Sequence, residues 1–292
     1  LIRWLKPKDP KKFIVIENGV DIEKFINATP YNKSEINGEF TNGTKLICMV
    51  GRFSEAKDQT TLIKAMKHVP SNVHLLLVGK GPLKEKNEEL VKQINLEERV
   101  HFLGFRDDVA RILKTVDIVV LSSNWEGLSL SAVEGMAAGK PLIGSNVPGI
   151  KEIVNKYGLL FSKGNSEELA NKINQLINDP LKYSEIAEKC QLRANSYSIE
   201  KMVHEYVKQY KILLDNYQRS EVNLIILGNT DPIFTLRIGS IELHDGLFIL
   251  KSEKDLDMIF IKDSDKKYNK LYQWMNPFIR NFKIKELLND DL

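Results

Sequence analysis

Cysteine is nearly absent. Cys48 and Cys190 are the only two in 292 residues, one in a strand-like apolar run and one in a helical pattern. That excludes a disulfide-stapled scaffold and a cysteine-built metal site, and it reads as two reduced, buried thiols in a cytoplasmic protein. Histidine is scarce as well: positions 68, 74, 101, 204 and 244 are scattered without metal-ligand spacing and are read as structural. No apolar run approaches the roughly 18 to 20 residues of a membrane-spanning helix, and the opening LIRWLKPKDPKK lacks a secretory apolar core. Charge of one sign is also lacking. Against 39 Asp and Glu stand 42 Lys and Arg, and the net +3 is too small to direct the chain to nucleic acid. A modest anion such as a phosphate stays in view. What is present, 42% hydrophobic and 28% charged residues, belongs to an ordinary globular chain with length for about two domains.

From Lys45 short β-branched or Leu-rich runs alternate with segments of helical period, the pattern of βα units around a parallel sheet. Strands are expected at 45–51, 73–79, 100–104, 117–123, 141–145 and 158–161. Helices are expected at about 59–69, 83–95, 107–115 and 129–139, with a short one near 149–155 and a closing set at 166–178, 181–196 and 198–216. The strands carry almost no charge, as expected where helices cover both faces. The fold class is therefore α/β, a Rossmann-like parallel sheet with helices on both faces. The tail from Gln218 reads as a small β-rich appendage, with strands at 223–227, 233–238, 247–251 and 258–262 between the turn signals NTDP, HDG and KDSD.

In an open parallel sheet ligands bind beyond the carboxyl ends of the strands, so the loops that follow the strands are where function is sought. The first strand runs into Gly51-Arg52-Phe53-Ser54-Glu55-Ala56-Lys57, which sets a guanidinium and an ammonium where both could reach one anion; an ordinary surface Arg and Lys would look the same. The fourth leads into Glu126-Gly127-Leu128-Ser129-Leu130 and on to Glu134. Gly127 lets the backbone approach a ligand, and free N–H groups at the helix start suit a diphosphate. The Glu134 carboxylate, a turn into that helix, suits the paired hydroxyls of a ribose, and Glu126 sits at the crevice mouth. A solvated helix residue and a capping residue are the competing readings of the two glutamates. After the fifth strand Pro148-Gly149-Ile150 opens another short helix.

Taken in order, Asn18-Gly19-Val20-Asp21, GRFSEAK at 51–57, Val78-Gly79-Lys80-Gly81-Pro82, Gly104-Phe105, EGLSLSAVEGMAAGKPLI with Glu126 and Glu134 eight apart, and PGIKEIV make a set. The stretch from about Ile14 to Tyr210 resembles the C-terminal domain of the family-4 retaining glycosyltransferases, also called glycosyl transferases group 1, which have the GT-B fold.

The resemblance implies transfer of a sugar, with retention, from a nucleotide-sugar donor such as a UDP- or GDP-sugar to a glycan or lipid-linked saccharide, without a cofactor or metal. It implies catalytic roles for Glu126, Arg52 and Lys57, the two cations on the donor diphosphate. Glu126 would face the transferred sugar, Glu134 would take the ribose, the backbone of Gly127, Leu128, Ser129 and Leu130 the sugar or phosphates, and Gly104, Phe105 and Arg106 would line the base pocket, with Gly51 and Gly149 also binding the donor. On this resemblance residues 1–22 are an interdomain linker remnant, 23–217 the nucleotide-sugar-binding domain and 218–292 a β-rich segment of unknown role. The acceptor site would lie on a missing or separate N-terminal Rossmann-like domain, so this half alone is expected to turn over little. Peripheral contact with the inner face of a membrane is a further expectation. The tail adds Asp255-Leu256-Asp257 and Asp263-Ser264-Asp265, read as turn and strand-end acids before any metal role.

Three other readings compete. A dinucleotide oxidoreductase would want a third glycine after Gly79-Lys80-Gly81, where the chain has Lys84. A sugar-nucleotide epimerase or a phosphorylase shares the nucleotide-binding architecture. A catalytically incomplete nucleotide-sugar-binding or scaffolding module would retain the same four charged residues.

Overall fold

The computed structural model describes residues 14–216 and the strand segments 222–226, 234–244, 247–252 and 257–260. Six strands, β1 (Lys45–Val50), β2 (Val73–Val78), β3 (Val100–Gly104), β4 (Ile118–Leu121), β5 (Leu142–Ser145) and β6 (Leu159–Phe161), form one sheet in the order β3-β2-β1-β4-β5-β6. Every neighbouring pair is parallel. Parallel pairing requires crossovers, and the crossovers are helices that cover both faces. Hence KLICMV and IVVL are apolar almost throughout, with β4 buried at all four positions.

The helices, in chain order, are α1 (Ile22–Ile26), α2 (Lys33–Ile36), α3 (Gln59–Ala65), α4 (Lys84–Gln93), α5 (Val109–Thr115), α6 (Leu130–Ala137), α7 (Lys151–Val154), α8 (Ser166–Asn178), α9 (Pro180–Ala194) and α10 (Ile199–Asn216). α3 packs against α4 and α8, while α6 packs against α1, α5 and α9, so two helical layers sandwich the sheet. Local chemistry sets the ends. Asp58, in the left-handed region at φ 47°, caps α3 by accepting from the Thr61 N–H and hydroxyl, and Asp179 caps α9 ahead of Pro180. Gly139, at φ 75°, ends α6.

Residues Ile16–Tyr206 form one compact unit. Within it Asn18-Gly19-Val20-Asp21 is fastened down. Val20 bridges Ser198, its N–H donates to the Tyr197 carbonyl at 2.9 Å, and its carbonyl accepts from the Ile199 N–H. Asp21 caps α1, whose Ile22 and Phe25 enter the core.

The other unit, which holds the chain from Val207, contains an antiparallel sheet in the order β10-β9-β8-β7, from β7 (Val222–Ile226), β8 (Phe234–His244), β9 (Leu247–Ser252) and β10 (Asp257–Phe260). β8 runs further than the 233–238 expected, continuing past a register irregularity between Ile238 and Ser240. The turn signals NTDP and KDSD and the pair Asp263-Ser264-Asp265 lie outside the described residues, as do Asp255 and Leu256.

Candidate functional site

The strand order reverses between β1 and β4, and this switch point is where an α/β sheet opens a crevice at its carboxyl edge. The loops leaving the two strands are stitched together there. The Asn124 N–H donates to the Ala56 carbonyl and its side-chain amide to the Glu55 carbonyl, both at 2.7 Å, and the buried Ser122 hydroxyl donates to the Asp58 carbonyl, also at 2.7 Å. Gln59, only 2% exposed, donates through its amide nitrogen to the Arg52 carbonyl at 3.0 Å.

This stitching brings Lys57 and Glu126 together from opposite sides of the switch. Lys57 Nζ lies 2.5 Å from Glu126 Oε1, and the side chains are only 19% and 11% exposed. The Ser123 hydroxyl donates to the same Oε1 at 2.7 Å, and the Ser123 carbonyl in turn accepts from Ser145 Oγ at the end of β5. One carboxylate oxygen is thus doubly engaged. The Lys57 stem lies across Gly51, where a Cβ would sit 3.4 Å from the Lys57 Cδ and Cε.

Two further glycine loops close on this pair. Gly149 adopts φ 87°, and a Cβ there would meet the Gly127 carbonyl oxygen at 2.2 Å and the Glu126 carbonyl oxygen at 2.5 Å. The loop after β5 can therefore press on the Glu126-Gly127 backbone only because it lacks a side chain. Gly79, at φ 140°, makes a similar approach to the Gly51 carbonyl.

Glu134 projects from the second turn of α6, a half-buried carboxylate with no hydrogen-bond or ion-pair partner among the described residues. Burial raises its pKa, and the opposing pull comes from Lys24 and then Lys57. Such a group gains from donors that a ligand brings. Arg52 is exposed at the end of β1 and pairs with no acidic side chain among the described residues. At the start of α6 the N-cap Ser129 is buried and makes no capping bond; its hydroxyl lies 3.3 Å from Ser131 Oγ, so the first helical N–H groups are left without a side-chain cap.

The Gly104 to Arg106 segment is less uniform. Gly104, at φ 67°, accepts from the Gly79 N–H at 2.7 Å, and Phe105 is 71% exposed with Lys80 Nζ 5.9 Å from its ring centroid. The Arg106 guanidinium is engaged: it chelates Asp108 at 2.7 and 2.5 Å, and Tyr31 donates to the same carboxylate at 2.6 Å. The pairing drives the Asp108 pKa well below the carboxylate range.

The structure thus gathers Gly51, Lys57, Glu126, Gly127 and Gly149 in direct contact, with Glu134 in their electrostatic reach, while Arg106 is turned to an acid of its own. Sequence reasoning passed over Ser123, Ser145 and Gln59. Their only signal was polarity at the end of apolar strands or at the start of a helix, where buried polar groups need named partners.

The family profile described as glycosyl transferases group 1 matches residues 32–193. The chain is 34% identical over 206 residues to an uncharacterised glycosyltransferase of Methanocaldococcus jannaschii, covering 69% of this chain and 54% of that protein. It is 30% identical over 214 residues to the UDP-Gal:alpha-D-GlcNAc-diphosphoundecaprenol alpha-1,3-galactosyltransferase of Escherichia coli, again covering 69% and 54%. The crystal structure of Anabaena HepE in complex with UDP and glucose aligns with a TM-score of 0.63 at 29% identity, over 68% of this chain and 57% of that one. The chain spans about half the length of the curated relatives it matches. With the profile covering more than half of its residues, and the switch-point crevice built as described, the chain belongs to the glycosyl transferases group 1 family.

Proposed function

We propose that this chain is the donor-binding half of a retaining glycosyltransferase that uses a nucleotide-sugar and no metal or other cofactor. The observation that carries the reading is the Lys57–Glu126 pair at the switch point, backed by Gly149 and flanked by an exposed Arg52 and by Glu134, which has no partner among the described residues. Breaking the bond between sugar and diphosphate leaves negative charge on the diphosphate. Fixed cations and a helix N-terminus stabilise that charge without reorganising. Lys57 and Arg52 supply the cations and the start of α6 the N–H groups. Lys57 leaves Glu126 for the diphosphate, and the freed carboxylate faces the transferred sugar. Glu134 accepts from the ribose hydroxyls, with Gly104, Phe105 and Arg106 beside the base, and the backbone of Gly127 to Leu130 follows the phosphates.

The acceptor on this reading is a glycan or lipid-linked saccharide, held by a Rossmann-like N-terminal domain, and the assembly works in the cytoplasm at the inner face of a membrane. That the E. coli relative is named for a diphosphoundecaprenol-linked substrate supports this acceptor class. No helix among the described residues is long and apolar enough to cross a membrane.

Thermal-shift titration with UDP-, GDP- and ADP-sugars tests the donor reading. A ligand that binds the folded state stabilises it by mass action, about 2.7 kcal/mol at a hundredfold excess over Kd. One nucleotide series is expected to raise Tm in a concentration-dependent way. No shift with any of the three would remove the donor reading.

A further inference from the structure

The stretch from the end of α1 to Tyr31 runs as a strap along α5, and four hydrogen bonds fasten it there. The Ile26 carbonyl accepts from Lys114 Nζ at 2.7 Å and the Thr29 carbonyl from Arg111 Nε at 3.1 Å. Tyr31 spans the helix. Its N–H donates to Thr115 Oγ1 at 2.8 Å, at the carboxyl end, while its hydroxyl donates to Asp108 Oδ2 at 2.6 Å, at the amino end. Between those two bonds the Arg111 guanidinium carbon lies 3.7 Å from the Tyr31 ring centroid and holds the ring against the helix.

Asp108 precedes α5 but makes no side-chain capping bond to it. Its two oxygens instead chelate Arg106, through Nε at 2.7 Å and Nη2 at 2.5 Å, so the Tyr31 hydroxyl and the guanidinium share Oδ2. The Asp108 side chain is 19% exposed, so solvent screens this junction less than it would an open surface pair. Arg106 ends the Gly104 to Arg106 segment after β3, which has little else to hold it. Gly104 has open space where a Cβ would stand, and Phe105 is largely exposed. Upstream, the Gly104 carbonyl accepts from the Gly79 N–H, and Gly79 presses on the Gly51 carbonyl at the crevice. Downstream, among the described residues, the tie is the chain from Arg106 through Asp108 to Tyr31.

We infer that Tyr31 and Asp108 are positioning residues for donor selection: through Arg106 they fix the Gly104 to Arg106 segment beside the base, so that nucleobase preference is set in part from the strap that precedes β1. This rests on the donor reading, which places a base beside that segment. A role confined to fastening the strap to α5 would use the same bonds but act on stability alone.

Tyr31→Phe separates the two roles, because it removes the hydroxyl and keeps the ring, its Arg111 contact and the backbone bond to Thr115. Isothermal titration of the full chain and its variants with UDP, GDP and ADP reads the ratio of affinities between the tightest-bound and the weakest-bound nucleotide. In Tyr31→Phe that ratio is expected to shrink about threefold or more, through loss of one bond to a charged group. Asp108→Ala is expected to shrink it at least as far. Adding Tyr31→Phe to Asp108→Ala is expected to change nothing more, since both act through one carboxylate. An unchanged ratio in Tyr31→Phe, including an equal loss of affinity for all three nucleotides, would overturn the inference and leave Tyr31 as a fastening of the strap. Additive effects in the double variant would overturn it as well. A parent chain that binds all three nucleotides alike would sink the selection role and leave the donor reading standing, and a parent chain that binds none would remove both.

Discussion

At the level of single residues the site turns on a competition for Lys57. In the structure its ammonium is held by Glu126 Oε1, and the same oxygen accepts from Ser123. On the proposed reading a diphosphate must win Lys57 from that carboxylate, so the two partners should respond to substitution with opposite signs. Glu126→Gln removes the competitor and is expected to leave UDP affinity equal or severalfold tighter, while Lys57→Ala removes a cation and is expected to weaken it about tenfold, near 1.4 kcal/mol. Isothermal titration of both variants with UDP decides this, and a parallel loss in both would show that the pair acts as a structural unit. Glu134 makes a second, independent case. Its carboxylate has no partner among the described residues, and burial already holds its pKa above the ordinary value. Removing it in Glu134→Ala should therefore cost the fold little but cost a ribose its charged acceptor, about 1.5 to 3 kcal/mol, or roughly 10- to 150-fold in nucleotide affinity. Calorimetric affinity unchanged by the substitution would take the ribose off Glu134.

Among the elements, the loops after β1, β4 and β5 behave as one body because glycines let them touch. An alanine Cβ at position 149 would stand 2.2 Å from the Gly127 carbonyl oxygen, and φ 87° is a region that side chains rarely enter. Gly149→Ala is therefore expected to destabilise the fold by about 1 to 3 kcal/mol and to displace the Glu126-Gly127 backbone with it. Donor affinity should fall even though no functional side chain has changed. Denaturant unfolding and UDP titration on the same variant check both halves, and an unchanged affinity in a destabilised protein would separate the loop from the site. How much of this was legible in the chain follows from range. Strands β1 to β6 and the longer helices announce themselves by local period, and Arg52, Lys57, Glu126 and Glu134 by their places after strands and at a helix start. The short helices α1 and α2, of five and four residues, complete barely a turn and leave no period to detect. The Ser123 bond to Glu126 and the Ser145 bond that supports it depend on a rotamer and on a strand neighbour, neither of which a one-dimensional pattern carries. The length of β8 was missed because an irregularity at Ile238 to Ser240 interrupts the alternation on which a strand reading relies.

For the molecule as a whole the sheet has two ends, and the end away from the crevice holds a histidine pair whose pKa values burial lowers. His74 and His101 were read singly as structural; the register of β2 on β3, with Leu76 opposite His101, sets them diagonally on one face. Their rings stack with Nδ1 of His74 3.1 Å from Nε2 of His101, and Phe40 packs edge-on to both. One nitrogen of that contact must donate and the other accept, so the arrangement excludes two charged rings. The surrounding charges are mixed. Burial lowers both pKa values, Arg99 lowers that of His74 further, each ring lies close to the other, and Glu39 and the Glu98 backbone pull the opposite way. With the folded pKa below the unfolded value near 6.5, the unfolded chain takes up protons first as pH falls. The stability these rings permit is thus complete above about pH 6.5 and is lost progressively below it. Asp108, held low by Arg106, loses its contribution only below the ordinary carboxylate pKa, outside this window. Denaturant unfolding at pH 7.5 and 5.5 is expected to show the native chain weaker at the lower pH, and His101→Gln, which cannot take a proton there, should shrink the difference. An equal difference in the variant would mean that the acid sensitivity arises elsewhere, and that the histidine pair packs the amino end of the sheet without reporting on pH.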